Sequence, residues 1–120
     1  MEGRPAVWIG HAVLSVSDLE RSADFWSALG MREVVRNTNV AVLELRGGTH
    51  LVLVLGSPPS DAEAPFDLMV DDLAGTHDRW SAEGLEPSPI SQGSIHSMFT
   101  VRDPDGYRLT INSSHVVGEV

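Results

Sequence analysis

The chain states one pattern twice, and this constrains its fold more than any single motif. Residues 14–30, LSVSDLERSADFWSALG, align without a gap on residues 68–84, LMVDDLAGTHDRWSAEG. Leu14/Leu68, Val16/Val70, Asp18/Asp72, Leu19/Leu73, Asp24/Asp78, Trp26/Trp80, Ser27/Ser81, Ala28/Ala82 and Gly30/Gly84 are identical. A repeat of this length means two copies of one supersecondary unit. Two copies imply a shared groove, where a ligand is expected.

At 120 residues the chain fits one domain, able to bury roughly two thirds of its unfolded surface without metal or disulfide staples. Cysteine is absent, which excludes disulfides, thiolate nucleophiles and cysteine-ligated zinc. Lysine is absent too, which excludes side-chain Schiff-base and P-loop chemistry. A net charge of −9 repels nucleic acid and anionic membranes and favours neutral or cationic ligands. No apolar run nears the length of a membrane span and the N-terminus has no signal-like pattern, so a cytoplasmic protein with no nucleic-acid or membrane partner is expected.

Residues 8–16, WIGHAVLSV, read as a buried strand. Ser17 and Glu20 have the spacing of a capping box, so a helix is predicted over roughly 18–29 with Leu19, Ala23 and Trp26 on one face and Gly30 as its stop. Strands follow at about 31–37, 39–46 and 49–55, the last two joined across Gly47 and Gly48. Ser57–Ala64 is polar and proline-stiffened and reads as a linker. The pattern then restarts with a strand over Phe66–Val70, Asp71 as N-cap, and a helix over roughly 72–83 with Leu73, His77 and Trp80 inward and Gly84 as stop. Strands near 85–88, 96–102 and 107–112 complete the second half, the last two turning on DPDG at 103–106. Module one spans about 6–56, the linker 57–64 and module two about 65–113. Each module is βαβββ.

A tandem βαβββ chain with HAVLSVSDLERSADFW in its first strand and helix and FTVRDPDGYRLTI in its last hairpin resembles the vicinal oxygen chelate superfamily. That superfamily includes glyoxalase I, extradiol dioxygenases, fosfomycin-resistance thiol transferases and bleomycin-resistance proteins. The resemblance implies an α+β fold in which curled sheets surround a cup-shaped cavity with the helices outside. It leaves function open, because the fold hosts both catalysts and binders. It also implies a divalent metal held from the first and last strands of each module, at positions that here carry His11, Val52, Pro65 and Thr110. Only His11 is a good ligand, and DPDGYRLT puts a threonine hydroxyl where the family has a glutamate. One histidine falls short of the three protein ligands usual in catalytic sites.

Strand parity adds other candidates, because residues i and i+2 share a face. His50 points with Val52 into the cup, as do Arg108, Thr110 and Asn112 on the last strand and His96, Met98 and Thr100 on the strand before it, while Phe99 and Val101 face the helix. A displaced metal site made of His11, His50 and His96 is therefore conceivable; the plainer role for His11 is a hydrogen bond to ligand or protein. Asp67 sits among core-facing Phe66, Leu68 and Val70 with its carboxylate aimed at the cup, near Met69, either binding a cation, acting as a general base or pairing with Arg108. Trp26 and Trp80 occupy equivalent helix positions and read as core, His77 as a boundary residue, and His115 as a cavity cap or a solvent residue. Trp8 fits a ligand platform or an interface equally well.

The preferred reading is a metal-free small-molecule binding protein of the bleomycin-resistance type, holding an organic ligand or antibiotic in a cleft between modules. Its expected ligand-binding residues are His11, His50, Asp67, Met69, His96, Met98, Arg108, Thr110 and Asn112. No cofactor is expected in this reading. A homodimer is, since a half-cup alone leaves an apolar sheet face bare. The alternatives are a metal-dependent lyase, isomerase or extradiol-type dioxygenase that uses His11 with other ligands, and an accessory protein-binding domain with a vestigial cup.

Overall fold

Both helices start on a repeat-equivalent aspartate. In the computed structural model, which describes residues 3–120, Asp18 caps α1 (Leu19–Leu29) by accepting from the Arg21 amide at 3.1 Å, and Asp72 caps α2 (Leu73–Ala82) by accepting from the Gly75 amide at 3.0 Å. The expected caps Ser17 and Asp71 are thus each one residue early. A carboxylate also complements the positive end of the helix. The stops are equivalent as well. Gly30 ends α1 at φ 121° and Gly84 follows α2 at φ 85°, a left-handed conformation that glycine adopts without a Cβ clash.

The chain divides into two compact units, one reaching from the N-terminal segment to Ser60 and including Gly118–Val120, the other Asp61–Val117. In the first, β1 (His11–Val16), β2 (Arg32–Arg36), β3 (Val40–Glu44) and β4 (His50–Leu55) form a four-stranded sheet in the order β1-β4-β3-β2. In the second, β5 (Leu68–Val70), β6 (Ser91–Gln92), β7 (Ser97–Arg102) and β8 (Arg108–Ser113) form a second sheet in the order β5-β8-β7-β6. The outer pairs β1–β4 and β5–β8 are parallel and the rest antiparallel. The fold is α+β, two βαβββ modules in tandem.

Within each unit, alternation along the strands decides which side the helix covers. Leu14, Val16, Ala41, Leu43, Leu51 and Leu53 are buried under α1 with Ala23 and Trp26, and Phe99, Val101, Leu109 and Ile111 are buried under α2 with Leu73 and Trp80. The Trp80 and Phe99 rings meet edge to face with centroids 5.8 Å apart. Each such fully buried aliphatic side chain contributes about 1.5–3 kcal/mol. His77 is half-buried, its Nε2 2.8 Å from the Ser88 carbonyl oxygen.

Three expected strands are shorter or missing, for identifiable reasons. Residues 8–10 are not strand, because β4 begins at His50 opposite His11 and offers them no partner beyond the Gly10 carbonyl, which accepts from the His50 amide. Residues 85–88 are not strand either. Pro87 has no N–H, Glu86 is at φ 54°, the Leu85 amide donates back to the Trp80 carbonyl of α2, and the segment meets β7 at Ser88, whose amide donates to Thr100 O and whose hydroxyl accepts from Thr100 N. Pairing resumes instead at β6.

The third correction bears on the site. Residues 62–64, expected as linker, run along the start of β8: the Ala64 amide donates to Arg108 O, the Arg108 amide to Ala62 O, and Glu63 bridges Arg108. Pairing then lapses through Pro65, Phe66 and Asp67 and resumes with Leu68 opposite Ile111. Five steps on one strand (63 to 68) therefore match three on the other (108 to 111). This two-residue bulge bends the chain at Pro65 and leaves Asp67 just ahead of β5.

Candidate functional site

On the face of each sheet away from its helix, side chains align in rows set by the register. In the first unit one row reads Val13, Val52, Val42, Val35, and the next reads His11, His50, Glu44, Arg32. The valine row is apolar and open, with Val13 56% exposed. The second row is a polar chain. Arg32 pairs with Oε1 of Glu44, Oε2 of Glu44 lies 3.3 Å from Nε2 of His50, and the His50 and His11 ring centroids are 6.2 Å apart. Glu44 thus orients His50 and is itself held by Arg32. The sequence reading missed Glu44, although placing it opposite His50 in the β3–β4 hairpin would have found it.

In the second unit the register places Met69, Asn112 and Met98 in one row, Thr110 beside Thr100 in the next, and Arg108 beside Arg102 beyond that. Asn112 is 8% exposed, and its Nδ2 donates to Oδ2 of Asp67 at 2.8 Å. Asp67 stands two residues before Met69, which pairs with Asn112, so its carboxylate lies on the same side as that amide. Asp67, Arg108 and Thr110 line an open depression of about 380 Å³ with Glu63, Pro65 and Phe66.

Of the roles open to Asp67, pairing with Arg108 is not formed. Arg108 reaches Asp61 at 3.2 Å and Glu63 at 3.4 Å, and Arg102 reaches Asp61 at 2.8 Å. A hydrogen bond from Arg102, with the charges of Arg102 and Arg108, holds the Asp61 carboxyl below its ordinary range. The guanidinium of Arg108 is thus committed to acids at the start of the second unit, and Asp67 keeps a neutral amide partner.

His96 lies apart from these rows. Its Nδ1 is 2.8 Å from the Ser113 carbonyl oxygen; a carbonyl only accepts, so Nδ1 carries the proton and Nε2 of the neutral ring is an acceptor. Its ring meets that of His115 edge to face, centroids 4.5 Å apart, so His115 packs on a neighbour while remaining exposed.

The family's metal positions do not fit an ion here. Val52 and Pro65 offer no donor, Thr110 offers a hydroxyl, and the bulge removes residue 65 from regular strand geometry. Among the described residues no group of three or more His, Asp or Glu side chains is placed to hold a metal. His50 faces a glutamate already paired with Arg32.

In the rest of the second unit, Asp103 organises the DPDG turn. Its Oδ1 accepts from the Asp105 amide at 3.0 Å and the Tyr107 amide at 2.8 Å, while Oδ2 is buried without a partner. Burial pushes its carboxyl above the ordinary range, and burial likewise raises Tyr107. These groups shape the hairpin that presents Arg108 and Thr110.

Among the described residues no helix is long and apolar enough to cross a membrane. Comparison with solved structures finds the same fold in proteins of different names. The chain is similar to lactoylglutathione lyase from Agrobacterium tumefaciens, at 16% identity and a TM-score of 0.77 over 92% of this chain and 96% of that one. It is similar to TnmS3, an antibiotic binding protein from Streptomyces sp. CB03234, at 21% identity and a TM-score of 0.77 over 92% and 98%. It is also similar to a bleomycin resistance determinant encoded on the transposon Tn5, at 23% identity and a TM-score of 0.70 over 92% and 100%. At such identities the likeness shows the fold alone. No curated protein sequence matches significantly. A family model, however, matches residues 8–111, which takes in the repeat, the first sheet, the DPDG turn and the second sheet as far as Ile111 of β8. The chain belongs to the glyoxalase/bleomycin resistance protein/dioxygenase superfamily.

Proposed function

We propose that this protein is a cytoplasmic, homodimeric small-molecule binder that holds a neutral or cationic, partly aromatic compound without a resident metal. The observation that carries the reading is the Asp67–Asn112 pair beside Met69 and Met98. An anchored carboxylate among adaptable thioethers is the mixture of few polar groups and apolar wall that small-molecule sites use. Because Asp67 is tied to an amide and not to an arginine, its negative charge stays available to a ligand cation. The names of two similar structures, an antibiotic binding protein and a bleomycin resistance determinant, support the same class of function. The exposed Val13, Val54 and Met69 support a dimer, since apolar sheet faces are normally covered.

The test is calorimetry with a planar aromatic cation such as proflavine. Wild-type protein should bind it, and Asp67→Asn should weaken binding by about tenfold to a hundredfold, the loss of one charge-assisted contact. Unchanged affinity would make Asp67 structural. Elemental analysis after dialysis should find well under one equivalent of divalent metal; a stoichiometric ion would overturn the metal-free reading and direct substitution to His11 and His50. Light scattering at micromolar concentration should give the mass of two chains.

A further inference from the structure

The first unit carries a depression that neither the repeat nor the sheet faces explain. It measures about 480 Å³ and is lined by Arg4, Val7, Trp8, Arg46, Thr49 and Val120 among others. We propose that it is a second ligand site, built for a small aromatic carboxylate.

Its walls are two segments that the fold holds against each other. The Thr49 hydroxyl donates to the Ile9 carbonyl at 2.6 Å and the His50 amide donates to the Gly10 carbonyl at 2.9 Å, which ties residues 9 and 10 to the end of the Arg46–Gly48 turn. Gly48 is at φ 95°, and a Cβ there would stand 3.5 Å from Nε1 of Trp8. The indole therefore lies over a turn whose backbone conformation favours glycine. This arrangement orients a ring that would otherwise swing on a free N-terminal arm. Trp8 is nonetheless 67% exposed, whereas Trp26 and Trp80 are buried. An indole kept open to solvent on a tethered segment has an aromatic face to offer, and flat rings stack on such faces.

Charge selects the class of ring. The protein has a net charge of −9 and only eight arginines, yet Arg4 and Arg46 both line this one depression, and Arg4 is the guanidinium offered to a ligand. A guanidinium matches a carboxylate in shape and can bond it through two parallel N–H groups. The apolar side chains of Val7 and Val120 leave room for the hydrocarbon body of the ligand. The depression thus favours the opposite charge from the one proposed for Asp67, so the two sites need not compete for a ligand.

The experiment titrates 1-naphthoate, and separately its uncharged analogue 1-naphthamide, into the full-length protein by calorimetry. Saturable naphthoate binding is expected with a Kd at or below about 1 mM, the range for a ligand of this size. Naphthamide and the Arg4→Gln variant should each bind about tenfold more weakly, and Trp8→Ala about threefold to tenfold more weakly. Arg102→Gln, which makes the same charge change where Arg102 pairs with Asp61, should leave naphthoate affinity unchanged. Trp8 emission should respond to naphthoate in wild type, and the melting temperatures of Arg4→Gln and Trp8→Ala should match wild type, since both lining residues are exposed. The proposal is overturned by absence of saturable binding, by equal affinity for naphthoate and naphthamide, by unaltered binding in Arg4→Gln and Trp8→Ala, or by an equal loss in Arg102→Gln.

Discussion

The two modules agree on the side of the sheet that meets the helix and disagree on the other. Under the helices, Trp26 matches Trp80, the Asp18 cap matches Asp72, and Gly30 matches Gly84. On the open faces, module one presents valines and an Arg32–Glu44–His50 chain, while module two presents Met69, Asn112 and Met98 with Asp67 bonded to the Asn112 amide. Close packing against a helix resists change in volume, whereas an open face tolerates replacement at little cost to stability. Divergence is therefore concentrated where a ligand can be met.

The strongest way to break this comparison is to empty the helix side. Trp26→Ala and Trp80→Ala should each cost about 3–5 kcal/mol in urea denaturation. A loss below about 1 kcal/mol in either would mean that the two cores are not equivalent.

The open faces should then separate the modules. Asn112→Ala removes a buried amide with a fixed carboxylate partner and should cost about 1–3 kcal/mol. Glu44→Gln breaks a chain whose Arg32 end is largely in solvent and should cost less than about 1 kcal/mol. The reverse order would place the structurally committed polar face in module one.

Smaller still are the caps, where Asp18→Ala and Asp72→Ala should each cost about 1 kcal/mol. The larger loss is expected at Asp72, because α2 contains Gly75 and has less intrinsic helix stability to fall back on. Equal losses would show that packing alone sets both helices.

The subtlest difference is a pH dependence confined to module two. Asp103 has a carboxyl raised by burial above its ordinary value of 3.8, so the native state takes up this proton more readily than the unfolded chain. Its contribution to stability is fully present below 3.8 and is lost as pH rises through the raised folded-state value. The corresponding turn of module one, Arg46–Gly48, has no carboxylate. Denaturation midpoints measured against pH should show this component in wild type and its loss in Asp103→Asn; an unchanged profile would contradict the assignment.

What the sequence determined by itself is the side of the molecule governed by short-range rules. A cap acts across three residues, as from Asp18 to Arg21, and a helix face recurs every three or four, as in Leu19, Ala23 and Trp26. The two helices, the alternation that buries Leu51 and Leu53, the Trp pair and the turn at Asp103 were legible for that reason. Even there the cap was misplaced by one residue, because Ser17 and Asp18, and likewise Asp71 and Asp72, are adjacent side chains that can both accept. What only the tertiary structure decided depends on pairing between distant segments. Asp67 meets Asn112 and not Arg108 because the Arg108 guanidinium is taken by Asp61 and Glu63, 47 and 45 residues before it in the chain, and nothing in the local period marks that pairing. Glu44 meets His50 through a hairpin register, and Trp8 lies over Gly48 because β4 begins opposite His11 and leaves residues 8–10 without a strand to join. A shift of one residue in register moves every side chain to the other face, so contacts between strands follow from the whole sheet and not from either strand alone.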